Sequence, residues 1–345
     1  MKLTDVVDRI NGNVDRFTTE LEYYIGGEHF ESNELEVTQK GLLKENLGKL
    51  GFKFHFAFQD RDVVFMARNP HLRKAGMVRF AGLCSDASYI LRSKDETVLS
   101  QEYLAVMLQS DHFWDYCESH KVGSVNFANN WSSIANYEFD LPTPEEQKEI
   151  SDKVWAAYRL KKSYKKLLAA TEEMVKSQFI EMFGDPMVND KQWSEYPCIS
   201  KITQIVLGST PNSKEPSYWD GDIRWITPAE MTDQSYYIFD TVRHITDEGR
   251  KAANLTALPE GTVLFSTRAP IGKVAIVGKE MCCNQGFKNF ICSEKLNNVF
   301  LYYTLKLKRD YLCSLGTGTT FKELSKRTVE SLKIAVPPIE LQNHI

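Results

Sequence analysis

Apolar, small or uncharged side chains recur at steps of three and four from Ile150 through Val154, Ala157, Leu160, Tyr164, Leu167, Thr171, Met174 and Gln178 to Met182. That spacing lays a single stripe along a helix. Thr143 precedes Pro144, and Glu145 and Glu146 follow it: an N-cap residue, a proline at the first helical position and acids in the first turn. No proline and no glycine interrupts the stretch until Gly184-Asp185-Pro186 closes it. The pattern predicts a helix over 144–183, which at about 1.5 Å per residue reaches roughly 60 Å. A helix of that length needs a partner helix or two bodies to join. Its polar face gathers Arg159, Lys161, Lys162, Lys165 and Lys166 between acidic ends. This face is either simply solvated or lies near a polyanion.

On both sides of the helix the texture is mixed. Thr262 to Ser266 and Val274 to Val277 read as strands around the turn Arg268-Ala269-Pro270-Ile271-Gly272, and Val63 to Met66 with Met77 to Phe80 form the equivalent hairpin. Gln101 to Glu118 and Asn298 to Ser314 read as helices. The correspondence is a duplication. Arg68 and Pro70 reappear 200 positions later as Arg268 and Pro270, and Leu141-Pro142 through Gln147 to Ile150 reappears as Val336-Pro337 through Gln342 to Ile345. Gly123-Ser124 is matched by Gly318-Thr319. A repeat of this length means two whole domains of one fold, not a solenoid. The expected class is α+β, with two similar domains joined by the helix: 1–143, the spacer 144–186, 187–337, and the start of a further helix at 338–345.

A chain of 345 residues, 42% hydrophobic and 26% charged, accommodates two such domains. No apolar run is long enough to span a membrane, and the N-terminus has no signal-peptide pattern, so a cytoplasmic protein is expected. The net charge of -4 argues against a binder driven by basic tails, but not against a specific binder with its basic residues on one face. The seven cysteines include no C-x-x-C pair and read as small buried hydrophobes.

Catalytic signatures are missing. Gly272-Lys273 lacks the upstream glycine of a phosphate-binding loop, and no G-x-G-x-x-G after a strand, H-E-x-x-H or G-x-S-x-G occurs. The seven histidines share no positions between the copies, so no acid–base group is duplicated. What recurs is arginine, small hydroxyls and glycine in turns. Ser209 and Thr210, in Gly208-Ser209-Thr210-Pro211, offer hydroxyl and backbone N–H donors to phosphate oxygens, and Arg268 and Lys273 add charge, with Arg68 and Lys74 as the first-copy candidates. Arg224, between Ile223 and Trp225, has the fork to read a guanine edge. The competing reading has the turn merely turning and Arg224 paired with Asp220 or Asp222.

The order of motifs resembles the specificity subunit of type I restriction-modification enzymes. Leu141-Pro142 with Glu145-Glu146-Gln147 and Ile150 opens the helix, and Glu181-Met182-Phe183-Gly184-Asp185-Pro186 closes it. Gly208-Ser209-Thr210-Pro211, Trp225-Ile226-Thr227, Ser266 to Gly272, Gly316 to Thr320 and Pro337-Pro338 follow, while Glu22 to Phe30 and Lys121 to Asn126 mark the first domain. The resemblance implies two target-recognition domains that each read one half-site of double-stranded DNA, with the helix setting the gap. It implies no cofactor on this chain: S-adenosylmethionine belongs to partner methyltransferase (M) subunits that methylate adenine N6, and ATP and Mg2+ to a restriction (R) subunit. The second long helix of such subunits would begin about where this sequence stops. Either the chain is truncated there, or it completes itself as a homodimer through helix 144–186. The alternative function is a protein–protein scaffold on the same duplicated domains.

Overall fold

The computed structural model describes residues 1–124, 127–196, 198–268, 270–318 and 322–345. The chain divides into two compact units, Met1–Leu167 and Leu168–Ile345, so the division falls within the long helix rather than at its ends.

The first unit holds strands β1 (Val7–Ile10), β2 (Tyr23–Ile25), β3 (Glu36–Val37), β4 (Gly41–Leu42), β5 (Phe54–Phe58), β6 (Val63–Met66), β7 (Ala75–Val78), β8 (Gly82–Ser85) and β9 (Ser88–Ser93). They make a central sheet ordered β1-β9-β6-β7-β3 and a second sheet ordered β4-β2-β8-β5. The second unit holds β10 (Ser194–Tyr196), β11 (Thr203–Leu207), β12 (Trp219–Ile226), β13 (Tyr237–Ile238), β14 (Arg243–Ile245), β15 (Val263–Thr267), β16 (Ile271–Val277), β17 (Cys282–Cys283), β18 (Lys288–Cys292) and β19 (Ile334–Val336). Its central sheet runs β11-β18-β15-β16-β13 and its second sheet β14-β12-β17. The pairings repeat in kind: β3 on β7 and β13 on β16 are parallel, as are β2 on β8 and β12 on β17. The duplication expected from the sequence is therefore a duplication of topology.

Each central sheet is buried by helices. Phe65 on β6 stacks on Trp114 with ring centroids 5.6 Å apart, and Phe113 and Tyr137 close around them. The expected helix over 101–118 is two helices, Gln101–Met107 and Asp111–Ser119, because Ser110 leaves the helical conformation and its hydroxyl accepts from the Phe113 N–H as an N-cap. The helix expected over 298–314 likewise breaks at Lys308, into Asn298–Leu307 and Arg309–Ser314.

The long helix runs Pro144–Phe183. Thr143 and Glu146 cap its start reciprocally, the Thr143 hydroxyl accepting from the Glu146 N–H and the Glu146 carboxylate from the Thr143 N–H. Gly184 ends it with φ +79°, the left-handed conformation that glycine adopts without strain. Trp155 and Tyr158 enter the first unit's core, and the Trp155 indole N–H donates to Glu102 O. Phe179 and Phe183 enter the second unit's core against Phe300. Between these anchors the stripe is solvent-facing, with Leu160 57%, Tyr164 63% and Met174 61% exposed.

Three of the five residues in the basic run on this helix, Lys161, Lys162 and Lys165, have acidic partners in the first unit. Lys161 and Lys165 pair with Glu34 at 3.0 and 3.1 Å, and Lys162 pairs with Glu36 at 2.9 Å. Burial pulls the Glu34 carboxyl upward, but the hydrogen bonds from Lys161 and Lys165 outweigh it and hold the group below its ordinary range. No helix among the described residues is long and apolar enough to cross a membrane. The cysteines are free thiols, and burial pushes those of Cys84 and Cys283 up to about 12.

Candidate nucleic-acid interface

The arginines singled out by the repeat stand at matching places. Arg68 follows β6 and Arg268 follows β15, and each is bridged to a residue from far along the chain that is itself paired to another: Arg68 to Ala128, and Arg268 to Glu323. Val122 and Ala128 exchange backbone hydrogen bonds at 2.8 and 3.0 Å, as Thr317 and Glu323 do at 3.1 and 2.9 Å. Asn129 N–H then donates to Ala67 O, and Leu324 N–H to Thr267 O. Gly123 (φ +105°) and Gly318 (φ +125°) occupy the positive-φ conformation that favours glycine, which explains why glycine recurs at both places. Val125, Asn126, Ala269, Thr319 and Thr320, parts of the motifs quoted above, lie outside the described residues.

The two arginines differ in company. Arg68 is exposed and has no ion pair among the described residues. Arg268 is half-exposed, 3.9 Å from Glu323, and Glu323 also holds Lys288 at 3.3 Å. The Lys288 ammonium is buried and donates to the Thr267 hydroxyl at 3.0 Å. In the first unit the aligned position is Tyr89, since Val63 faces Leu91 where Val263 faces Phe290, and the Tyr89 hydroxyl donates to Asn129 O. Tyr89 thus reaches the residue after Ala128, and Lys288 reaches Glu323.

Arg224 lies on β12 opposite His244 of β14. Its partner is Asp240, 3.3 Å from Nε, rather than Asp220 or Asp222. That Nε is buried and makes no hydrogen bond among the described residues. Beside it, Arg243 stacks over Trp219 at 3.6 Å from the ring centroid. The Gly208-Ser209-Thr210 segment runs along 283–285: Ser209 N–H donates to Cys283 O, Ser209 O accepts from the Trp225 indole, and the Thr210 hydroxyl donates to the Gln285 side chain. Ser209 thus meets Trp225, the neighbour of Arg224 on β12, while Thr210 reaches Gln285.

Lys74 and Lys273 have their ammonium groups on backbone carbonyls. Lys74 donates to Gly27 O, and Lys273 to Pro228 O and Met231 O. Sequence reading missed Asp240, Arg243, Glu323 and Lys288. Only Lys288 left a signal there, as a lone charge inside the apolar run Phe287 to Cys292.

Residues 191–345 match the family described as type I restriction modification DNA specificity domain. Over 158 residues, 45% of this chain and 36% of the relative, the chain is 39% identical to the type I restriction enzyme MjaIX specificity subunit of Methanocaldococcus jannaschii. It is 25% identical over 258 residues, 70% of this chain and 58% of the relative, to a putative type I restriction enzyme MjaX specificity subunit of the same organism. The chain therefore spans between about a third and three-fifths of these relatives' length. A solved type I restriction-modification S subunit from M. genitalium shares its fold, with a TM-score of 0.61 at 11% identity, covering 99% of this chain and 86% of that one.

Proposed function

We propose that the chain is a type I restriction-modification specificity subunit, the family whose DNA specificity domain residues 191–345 match, and that it is the DNA-reading, non-catalytic member of such a system. Each unit reads one half of a bipartite target in double-stranded DNA. The chain directs M subunits, which carry S-adenosylmethionine, and an R subunit with ATP and Mg2+, to that target in the cytoplasm. The observation that carries this reading is the duplicated arginine arrangement, Arg68 bridged to the Val122–Ala128 pair and Arg268 to the Thr317–Glu323 pair. One arrangement per half-site is what a two-part target demands. Arg68 and Arg268, with Ser209 and Thr210, are assigned to phosphates, and Arg224 to a base edge. The exposed stripe of the long helix suits a second helix, and we take a second copy of this chain as its partner.

Co-expression with a type I M subunit in cells lacking adenine methylation tests the proposal. Mapping N6-methyladenine by single-molecule sequencing is expected to reveal a two-part motif with a fixed gap. A symmetrical motif is the signature of two copies paired through the stripe. A chain that binds M subunits but shows no salt-dependent DNA affinity is the scaffold instead.

Arg268→Ala is expected to weaken binding about equally across sequences and to lower the slope of log affinity against log salt by about 1, as the loss of one phosphate contact does. Titrations at several salt concentrations measure both. A variant that prefers a different sequence removes Arg268 from the phosphate contacts.

A further inference from the structure

Lys74 and Lys273 occupy one position in the two units. Phe65 faces Ala75 where Phe265 faces Val274, so each lysine immediately precedes the paired residue. Their acceptors correspond as well. Ile25 faces Cys84 where Ile226 faces Cys283, which aligns the 3-10 turn Gly27–His29 with Pro228–Glu230. Lys74 Nζ donates to the first carbonyl of its turn, Gly27 O, at 2.6 Å; Lys273 Nζ donates to the first carbonyl of its own, Pro228 O, at 3.0 Å, and also to Met231 O.

The side chains around this contact are not shared. One turn is Gly-Glu-His and the other Pro-Ala-Glu, yet both are capped in the same manner, Gly26 N–H donating to His29 Nδ1 and Thr227 N–H to a Glu230 carboxylate oxygen. The lysine contact is therefore common to both turns although their side chains differ. Both lysines are part-buried, and a charged donor aimed at carbonyls forms a strong, directional hydrogen bond.

What the contact joins gives it a purpose. Lys74 immediately precedes, and Lys273 lies within, the second strand of the central hairpin, and each turn follows the strand at the heart of the second sheet, β2 or β12. Strand β12 carries Arg224, and β2 carries Tyr23 at the same register position, with Lys40 Nζ 3.3 Å from its ring centroid. We infer that Lys74 and Lys273 are positioning residues, not phosphate ligands: each clamps its unit's reading strand to the central sheet. This rests on the DNA-reading function proposed above.

The test uses the full chain in complex with its M subunits, on duplexes with both half-sites intact or one scrambled. Lys273→Met is expected to reduce discrimination for one half-site at least tenfold while leaving the other half-site, nonspecific affinity and the salt slope unchanged. Lys74→Met is expected to do the converse. A fall in the salt slope of about 0.9 for either variant, with uniform loss across sequences, identifies a phosphate ligand and overturns the inference. Equal loss at both half-sites, or none, also overturns it.

Amine acylation of the wild-type chain gives a second measurement, independent of folding in the variants. The clamp predicts that both lysines resist modification in the free protein and that DNA leaves this unchanged. High reactivity without DNA, or protection that appears only with DNA, overturns it. Because the free-protein arm needs no sequence preference, it separates failure of the clamp from failure of the DNA-reading assignment.

Discussion

Gly208→Ala is expected to destabilise the second unit by about 1–3 kcal/mol, the range for overpacking a closed site, and to erase recognition of one half-site. A Cβ at residue 208 would lie 2.0 Å from Asn284 O and 2.3 Å from Cys283 O. Both are backbone atoms of a segment held by its own pairings, so no side-chain rotation relieves the clash. The 208–210 segment has to lift away from 283–285, and Ser209 then loses its bond to Cys283 O and the Trp225 indole its bond to Ser209 O. Since Trp225 adjoins Arg224, the disturbance reaches the assigned base reader. Denaturant titration together with binding to half-site-scrambled duplexes measures both effects. Wild-type stability and wild-type discrimination in this variant would show that the close approach is not kept in solution.

The second large effect is an asymmetry between two partners. Lys288 has a side chain only 5% exposed, whereas Glu323, which neutralises it, is 41% exposed. Removing the acid leaves a buried ammonium with the Thr267 hydroxyl as its remaining partner. Breaking a fully buried pair in this way costs about 3–5 kcal/mol, and the exposure of Glu323 brings the expectation for Glu323→Ala to about 2 kcal/mol. Lys288→Met removes the charge and keeps the apolar stem, so it is expected to be within about 1 kcal/mol of neutral. The double variant is expected to recover most of the loss, which a double-mutant cycle of unfolding free energies reads directly. Equal losses for the two single variants would mean that Lys288 is better hydrated than its burial indicates. Glu323→Ala also frees Arg268, so its DNA affinity is expected to rise or hold while its stability falls.

Much of the architecture was legible before any coordinates. The stripe from Ile150 to Met182 and the caps at Thr143 and Gly184 located the long helix, because helical periodicity and end chemistry are local properties. The repeat around Arg68 and Arg268 revealed two copies of one fold. The short strands β3, β4, β13 and β17 were invisible, since two residues cannot display an alternation. The helix breaks at Ser110 and Lys308 were read through, because apolar spacing continues across them. The candidate site was legible in its residues but not in its partners. Nothing local announces that Lys161 and Lys165 meet Glu34, more than 120 positions away, or that Arg224 meets Asp240 rather than its neighbours Asp220 and Asp222. The same blindness hides the partners of Lys74 and Lys273, since a lysine's charge is visible in sequence and its carbonyl acceptors are not.

The anchoring of the long helix reverses the usual order in which a helix comes apart. Isolated helices fray from their ends, where hydrogen bonds are fewest. Here Trp155 and Tyr158 fix one end in a core and Phe179 and Phe183 the other, while no residue from 159 to 178 is buried. In the unpaired chain, amide hydrogens around 166–177, beyond the last lysine pinned by Glu34, are therefore expected to exchange fastest in the helix, and limited proteolysis to cut there first, whereas pairing with a second copy through the stripe slows both. The cut would leave two fragments, each keeping its own sheets and its own half of the helix. Slow exchange in that stretch would instead report that something covers it in solution.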